Sequence, residues 1–185
     1  MKNNKGMTMI EVVVVIALIA IITSGTVLSV SSLRRARVKK QYDLLQSQVI
    51  NLREKTLTSS DLTTGAIYYD STADEYYFAI FELDRSKMLN LSTATITNDD
   101  IKATIEEKVL LSSNMEYYYS FDGGTNKVQI TESSPLIIHF DRSDGRLMNN
   151  KTNTKAGQLT LYVSNSSSEK SFSVSCTTGR IVDYN

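Results

Sequence analysis

The chain carries one cysteine (Cys176), one proline (Pro135), one histidine (His139) and no tryptophan in 185 residues. A lone cysteine excludes an intramolecular disulfide, so an exported domain of this chain must be held together by its core. With one proline and eight glycines there is no Pro/Gly-rich linker, and no internal repeat or low-complexity tract divides the sequence. Basic and acidic residues number 20 each, for a formal net charge of zero. Global charge therefore provides neither the field of a nucleic-acid binder nor a strongly cationic surface. The single His and Cys leave no zinc ligand set at usable spacing. Asp141 and Asp144 lack the twelve-residue acidic loop of a calcium site. Gly123-Gly124 is not followed by Lys-Ser/Thr, which excludes a phosphate loop. No nucleophile and base accompany His139, which reads as a surface or sheet-face residue. No enzyme, cofactor or metal follows from these residues.

Charge is also missing from residues 12–33, a run of 22 positions. As a helix it spans about 33 Å, against about 30 Å for the hydrocarbon core of a bilayer. At its lip stands one carboxylate, Glu11, which in hydrocarbon is costly unless paired or kept at the interface. Met1 to Gly6, ahead of the run, is too short for a secretory signal peptide of about 15–30 residues. No Ala-x-Ala site follows the apolar run, so it is expected to remain as an anchor.

Lys5-Gly6, then Met7-Thr8-Met9-Ile10-Glu11, then the apolar run, resembles the class III signal of type IV prepilins and pseudopilins. The resemblance covers about the first 33 residues. It implies that a prepilin peptidase removes residues 1–6 by cutting between Gly6 and Met7, that Met7 is N-methylated, and that Glu11, fifth from the cut, acts in assembly. Met7 stands where Phe is commonest in that family. The physics supports such an arrangement. The freed α-amine ordinarily titrates near pH ~8 and is largely cationic at neutral pH. It lies about one helical turn from Glu11, and the two attract far more strongly in a low-dielectric layer than in water. Within a subunit the pair lowers the cost of holding Glu11 in lipid; between subunits it can set axial register.

Orientation carries a conflict. Lys2 and Lys5 precede the run, whereas Arg34, Arg35, Arg37, Lys39 and Lys40 follow it. The positive-inside rule alone would place the C-terminal domain in the cytoplasm. The resemblance implies the reverse, and we follow it because its motif is more specific and large domains translocate despite charge bias. Segment 34–40 then reads as a solvated, headgroup-facing collar. Pairing with acidic residues of neighbouring subunits is the second reading and nucleic acid the last.

Beyond the collar, Val38, Tyr42, Leu45, Val49 and Leu52 are spaced 4, 3, 4, 3, the seam of an amphipathic helix. A continuous helix from about Met9 to Lys55 is expected, stopped by Ser59-Ser60-Asp61 and weakest at Gly25. Many major pilins have Pro near the position of Leu28; this chain does not. The period then changes to that of strands. Ile67-Tyr68-Tyr69 is a short candidate. The stretch from Tyr76 to Leu83 is apolar on both faces and hence central or covered by the helix. Asn98-Asp99-Asp100 predicts a helix reaching about Leu111, with Ile101, Ile105 and Val109 on one face. Hairpins are predicted around 122–126 and around Ser143-Asp144-Gly145. Leu159, Leu161 and Val163 share a face, as do Phe172, Val174 and Cys176. Cys176 reads as a small buried hydrophobe. Ten tyrosines and abundant Ser, Thr and Asn suit a β-rich exterior module.

Ile138 to Gly145, Gln158 to Val163 and Phe172 to Val182, with Gly179-Arg180 at the last turn, resemble the C-terminal half of the H-type minor pseudopilins and related minor pilins. Some relatives of that branch bind DNA through Arg residues of this hairpin. The matching residue is Arg180, and Lys170 is the only other base close by. Asp183 and Glu169 stand beside them, a poor phosphate track, so nucleic acid is not an expected partner.

The expected fold is α+β and pilin-like: a long N-terminal transmembrane and amphipathic helix packed on a C-terminal antiparallel β-sheet domain. The divisions are a leader (1–6), a transmembrane half-helix (7–33), an amphipathic half-helix (34–57) and an extracytoplasmic domain (58–185). The expected role is a minor pilin or pseudopilin subunit in the cytoplasmic membrane, domain outside, that enters a surface or periplasmic filament. Its partners would be other pilin subunits, the prepilin peptidase, an inner-membrane assembly platform and membrane lipid. The rivals are a DNA-binding tip subunit for DNA uptake and an uncut, single-pass membrane receptor.

Overall fold

The computed structural model describes residues 8–59, 63–82, 96–121, 126–148 and 157–182, with backbone alone over 23–29. Helix α1 (Met9–Thr58) runs for 50 residues, about 75 Å. It is unbroken through Gly25, so the expected weak point does not interrupt the rod. Its C-cap is Ser59, whose N–H donates to the Lys55 carbonyl at 2.8 Å. The expected stop thus falls where Ser59 placed it; Ser60 and Asp61 lie outside the described residues.

The chain continues through β1 (Thr63–Asp70), β2 (Glu75–Glu82), α2 (Asn98–Ala103), β3 (Ile105–Leu110), β4 (Glu116–Ser120), β5 (Val128–Gln129), β6 (Leu136–Ile138), β7 (Gln158–Asn165), β8 (Ser168–Ser175) and β9 (Ile181–Val182). The strands form two antiparallel sheets, ordered β3-β2-β1-β6 and β5-β4-β7-β8-β9. The observed class is therefore α+β, an N-terminal helix with antiparallel sheets.

The predicted seam of α1 is what joins the sheets. Val38, Leu45, Val49 and Leu52 are at most 1% exposed. They share one apolar cluster with Ile67, Phe78 and Ile80 of the first sheet and Leu159, Leu161, Val163, Phe172 and Val174 of the second. Tyr42 meets Phe172 edge-on at 5.5 Å. Alternation along β1 and β2 sends Ala66, Tyr68, Ala79 and Phe81 to the opposite face, where Ile96 and Ile101 cover them. The central strands β1 and β2 are thus buried on both faces, which explains the apolar run from Tyr76 to Phe81; Leu83 lies outside the described residues.

The helix predicted from Asn98 is cut short. Its start is as expected, with a capping box in which Thr97 and Asp100 each accept from the other's backbone N–H. The helix ends at Ala103, and Ile105 to Leu110 instead form β3 along the edge of β2, pairing Phe78 with Val109 and Tyr77 with Leu110. The physical reason lies in the spacing. Ile105 and Val109 are four apart, a distance that keeps residues on one side of a helix and also on one side of a strand. The unpaired edge of β2 decides between them, since its backbone groups need partners.

The two predicted hairpins are present. Tyr118 pairs with Gln129 and Tyr119 with Val128 across a connection of which 122–125 lie outside the described residues. Phe140 pairs with Leu147 across the turn at Gly145, whose φ is +69°. Among the described residues no helix is long and apolar enough to cross a membrane. The described apolar side chains at the start of α1 cover 8–22, whereas the 22-residue run read from the sequence includes 23–29.

Candidate functional site

The start of α1 is built by two side chains. Thr8 is the N-cap, with extended backbone (φ −73°, ψ 152°). Its Oγ1 accepts from the Glu11 N–H at 3.4 Å, while Glu11 Oε2 accepts from the Thr8 N–H at 2.8 Å and from the Thr8 hydroxyl at 3.0 Å. This is a reciprocal capping box. It places the Glu11 carboxylate on the N–H and hydroxyl of Thr8. Gly6 and Met7 themselves lie outside the described residues.

The following turns are bare. Met9 is 86% exposed and Ile10 72%, and Val13, Ile16, Leu18, Ile21 and Ile22 are all more than half exposed. The apolar surface goes right round the helix. A helix that is hydrophobic on every side belongs inside a larger assembly or a membrane. Two functions are therefore segregated along one rod: the start offers apolar surface outward, and the seam from Val38 onward is consumed by the domain.

The second group of candidates is not brought together. Arg180 is exposed just after Gly179, where its carbonyl accepts from the Ser175 N–H at the end of β8. Lys170 lies near the other end of β8, with its Nζ 5.3 Å from the centre of the Tyr42 ring. The five residue steps from 170 to 175 along the strand extend about 17 Å, so the pair forms no continuous phosphate track. Glu169 is already engaged by Lys127 at 2.6 Å, and Asp183 is outside the described residues.

His139 is half-buried, its Nδ1 3.4 Å from Thr64 Oγ1. Burial lowers its pKa, opposed by a backbone hydrogen bond at Thr63 and by Asp141. Cys176 is half-buried rather than fully buried, a partial departure from its expected role. It still packs on the core, and burial raises its thiol pKa.

Sequence reasoning missed Arg53. Its Nε donates to the Gly145 carbonyl and its Nη2 to the Thr178 carbonyl, both at 3.2 Å. The two Gly turns singled out in the sequence thus converge on one guanidinium near the end of α1. The signal was faint: one Arg between Leu52 and Glu54 on an otherwise ordinary helix.

Residues 1–27 match the family model for the prokaryotic N-terminal methylation motif. The first helical turns therefore carry the signature of a methylated, prepilin-type N-terminus. The match ends within α1 and does not reach the sheets. Searches of curated proteins and of solved structures gave no match.

Proposed function

We propose that the chain is a minor subunit of a type IV pilus or pseudopilus. It is made as a prepilin, cut between Gly6 and Met7, methylated at Met7, and held in the cytoplasmic membrane by residues 7–33 with the domain outside. It then enters a filament with homologous subunits, its apolar helix exchanging lipid contacts for neighbours. The role is structural, without catalysis. One observation carries this reading: a methylation-type N-terminus sits on a helix whose first turns are apolar all round while its later turns are sealed into a domain. Lipid or neighbouring helices satisfy such a surface; water does not.

The capping box sharpens the test. At the third helical position Gln caps as Glu does, so Glu11→Gln keeps the helix start and removes only the charge, whereas Glu11→Ala removes both. In cells making the filament, both variants are expected to be cut after Gly6, seen as loss of the leader mass, and both to be lost from sheared filaments. Wild-type incorporation of Glu11→Gln would remove the charge-guided assembly step. An N-terminus still at Met1 beside an active prepilin peptidase would overturn the prepilin reading itself.

A further inference from the structure

The assembly reading leaves unused the charge at the foot of the domain. Arg34, Arg35, Arg37, Lys39 and Lys40 are exposed, while Val38 among them is fully buried. At about 100° per residue, the five project at about 0°, 100°, 300°, 140° and 240° around the helix axis. They ring α1 rather than line one face. The segment rises about 9 Å, close to the depth of the polar zone on either side of a bilayer's hydrocarbon core, about 5–8 Å.

The domain descends to the same level. Asn165, at the turn between β7 and β8, donates from Nδ2 to the Arg34 carbonyl at 3.2 Å. The next two residues, Ser166 and Ser167, are exposed there. Lys170, a few residues along β8, is exposed and lies over the Tyr42 ring. Its neighbour in β8, Glu169, is already paired with Lys127, and the exposed Asp43 follows Tyr42 on α1. The foot of the domain is thus a cationic base encircling the point where the apolar helix leaves it.

We propose that this base binds the phosphodiester headgroups of anionic phospholipids, with the ring and Lys170 as its contacts. The inference rests on the reading that the start of α1 lies in a bilayer. The shape selects the partner. A polynucleotide or an acidic helix reaches one side of a rod, whereas a headgroup layer meets every side that the domain leaves open. The ring also begins directly after the uncharged run, at the height where headgroups would lie. On this account anionic lipid offsets the positive charge that would otherwise oppose an outward-facing domain, and a subunit leaving the membrane must give up these contacts.

The test uses the full chain in nanodiscs of phosphatidylcholine, with and without one-fifth phosphatidylglycerol. Lipid retained by the protein after gentle detergent extraction is counted by native mass spectrometry. The comparison is the variant R34Q/R35Q/R37Q/K39Q/K40Q, whose changed side chains are all exposed. Phosphatidylglycerol should be enriched at least about threefold over its bulk share on the wild type, and fall to that share on the variant or at high salt. A bulk share on the wild type overturns the lipid proposal and leaves the membrane reading intact. Failure to enter phosphatidylcholine discs removes the membrane reading, and the proposal with it. Ring-dependent binding of a single-stranded oligonucleotide at physiological salt, without lipid preference, overturns the proposal in favour of nucleic acid.

Discussion

Replacing Gly179 by Ala tests the junction where the two Gly turns meet the helix. Gly179 has φ +63°, a conformation that costs an L residue about 1–2 kcal/mol. A Cβ there would overlap the Gly145 carbonyl oxygen and lie 2.8 Å from Arg53 Nε. The nearest obstacle is backbone, so one of the two turns must shift. Gly145 is itself held at φ +69°, and its carbonyl takes the Arg53 Nε bond. A hydrogen bond to a charged donor is worth about 1.5–3 kcal/mol, toward the low end where solvent can replace it. Losing one such bond together with the conformational cost gives about 3–4 kcal/mol. Against a total stability of about 5–15 kcal/mol, and at about 3 °C per kcal/mol for a chain of this size, Tm should fall by about 10 °C. The assay is thermal unfolding of the full chain in detergent, followed by circular dichroism and tyrosine fluorescence. Gly157→Ala is the control, since nothing lies within 4 Å of its added Cβ, and it should stay within about 0.5 kcal/mol of wild type. Gly179→Ala should also cost less in an Arg53→Ala background, because part of the loss has already occurred. A Gly179→Ala shift no larger than the Gly157 control would refute the reasoning.

The remaining predictions concern single polar groups. Among the described residues the buried Tyr68 hydroxyl has no hydrogen-bond partner, and burial pushes its pKa up to about 12; Tyr68→Phe should leave denaturant stability unchanged or raise it by about 1 kcal/mol. Tyr76 donates to the Ile130 carbonyl at 3.2 Å, so Tyr76→Phe should lower stability by about 1 kcal/mol, and equal effects of the two changes would contradict the assigned bonding. His139 is the only histidine, and its folded pKa lies below the ordinary 6.5 because burial disfavours the charged ring. The unfolded chain therefore binds the proton first as pH falls, and stability should decline from about pH 6.5 downward. Urea midpoints between pH 7.5 and 5 should show that slope, and His139→Gln should flatten it.

Several features were readable because their signals are local. The seam at Val38, Leu45, Val49 and Leu52 needs only helical period, and the spacing from Gly6 to Glu11 is a property of a few consecutive residues. Ser59 as a stop, and Gly145 and Gly179 as turns, follow from backbone preferences that hold in any context. The residues of the N-terminal motif match a family model, and their neighbourhood on the helix was inferable from numbering alone. Other features required the folded chain. A spacing of four suits a helix face and a strand face alike, so only the open edge of β2 could make 105–110 a strand. Local pattern also could not divide the nine described strands between two sheets, because alternation shows which face of a strand is apolar and not which strand lies beside it. Arg53 meets Gly145 and Thr178 across separations of 92 and 125 residues, and Lys170 comes to Tyr42 of α1 rather than to Arg180. Such meetings arise from the shared core of α1 and both sheets. Burial is a property of the whole chain, and no short window of sequence contains it.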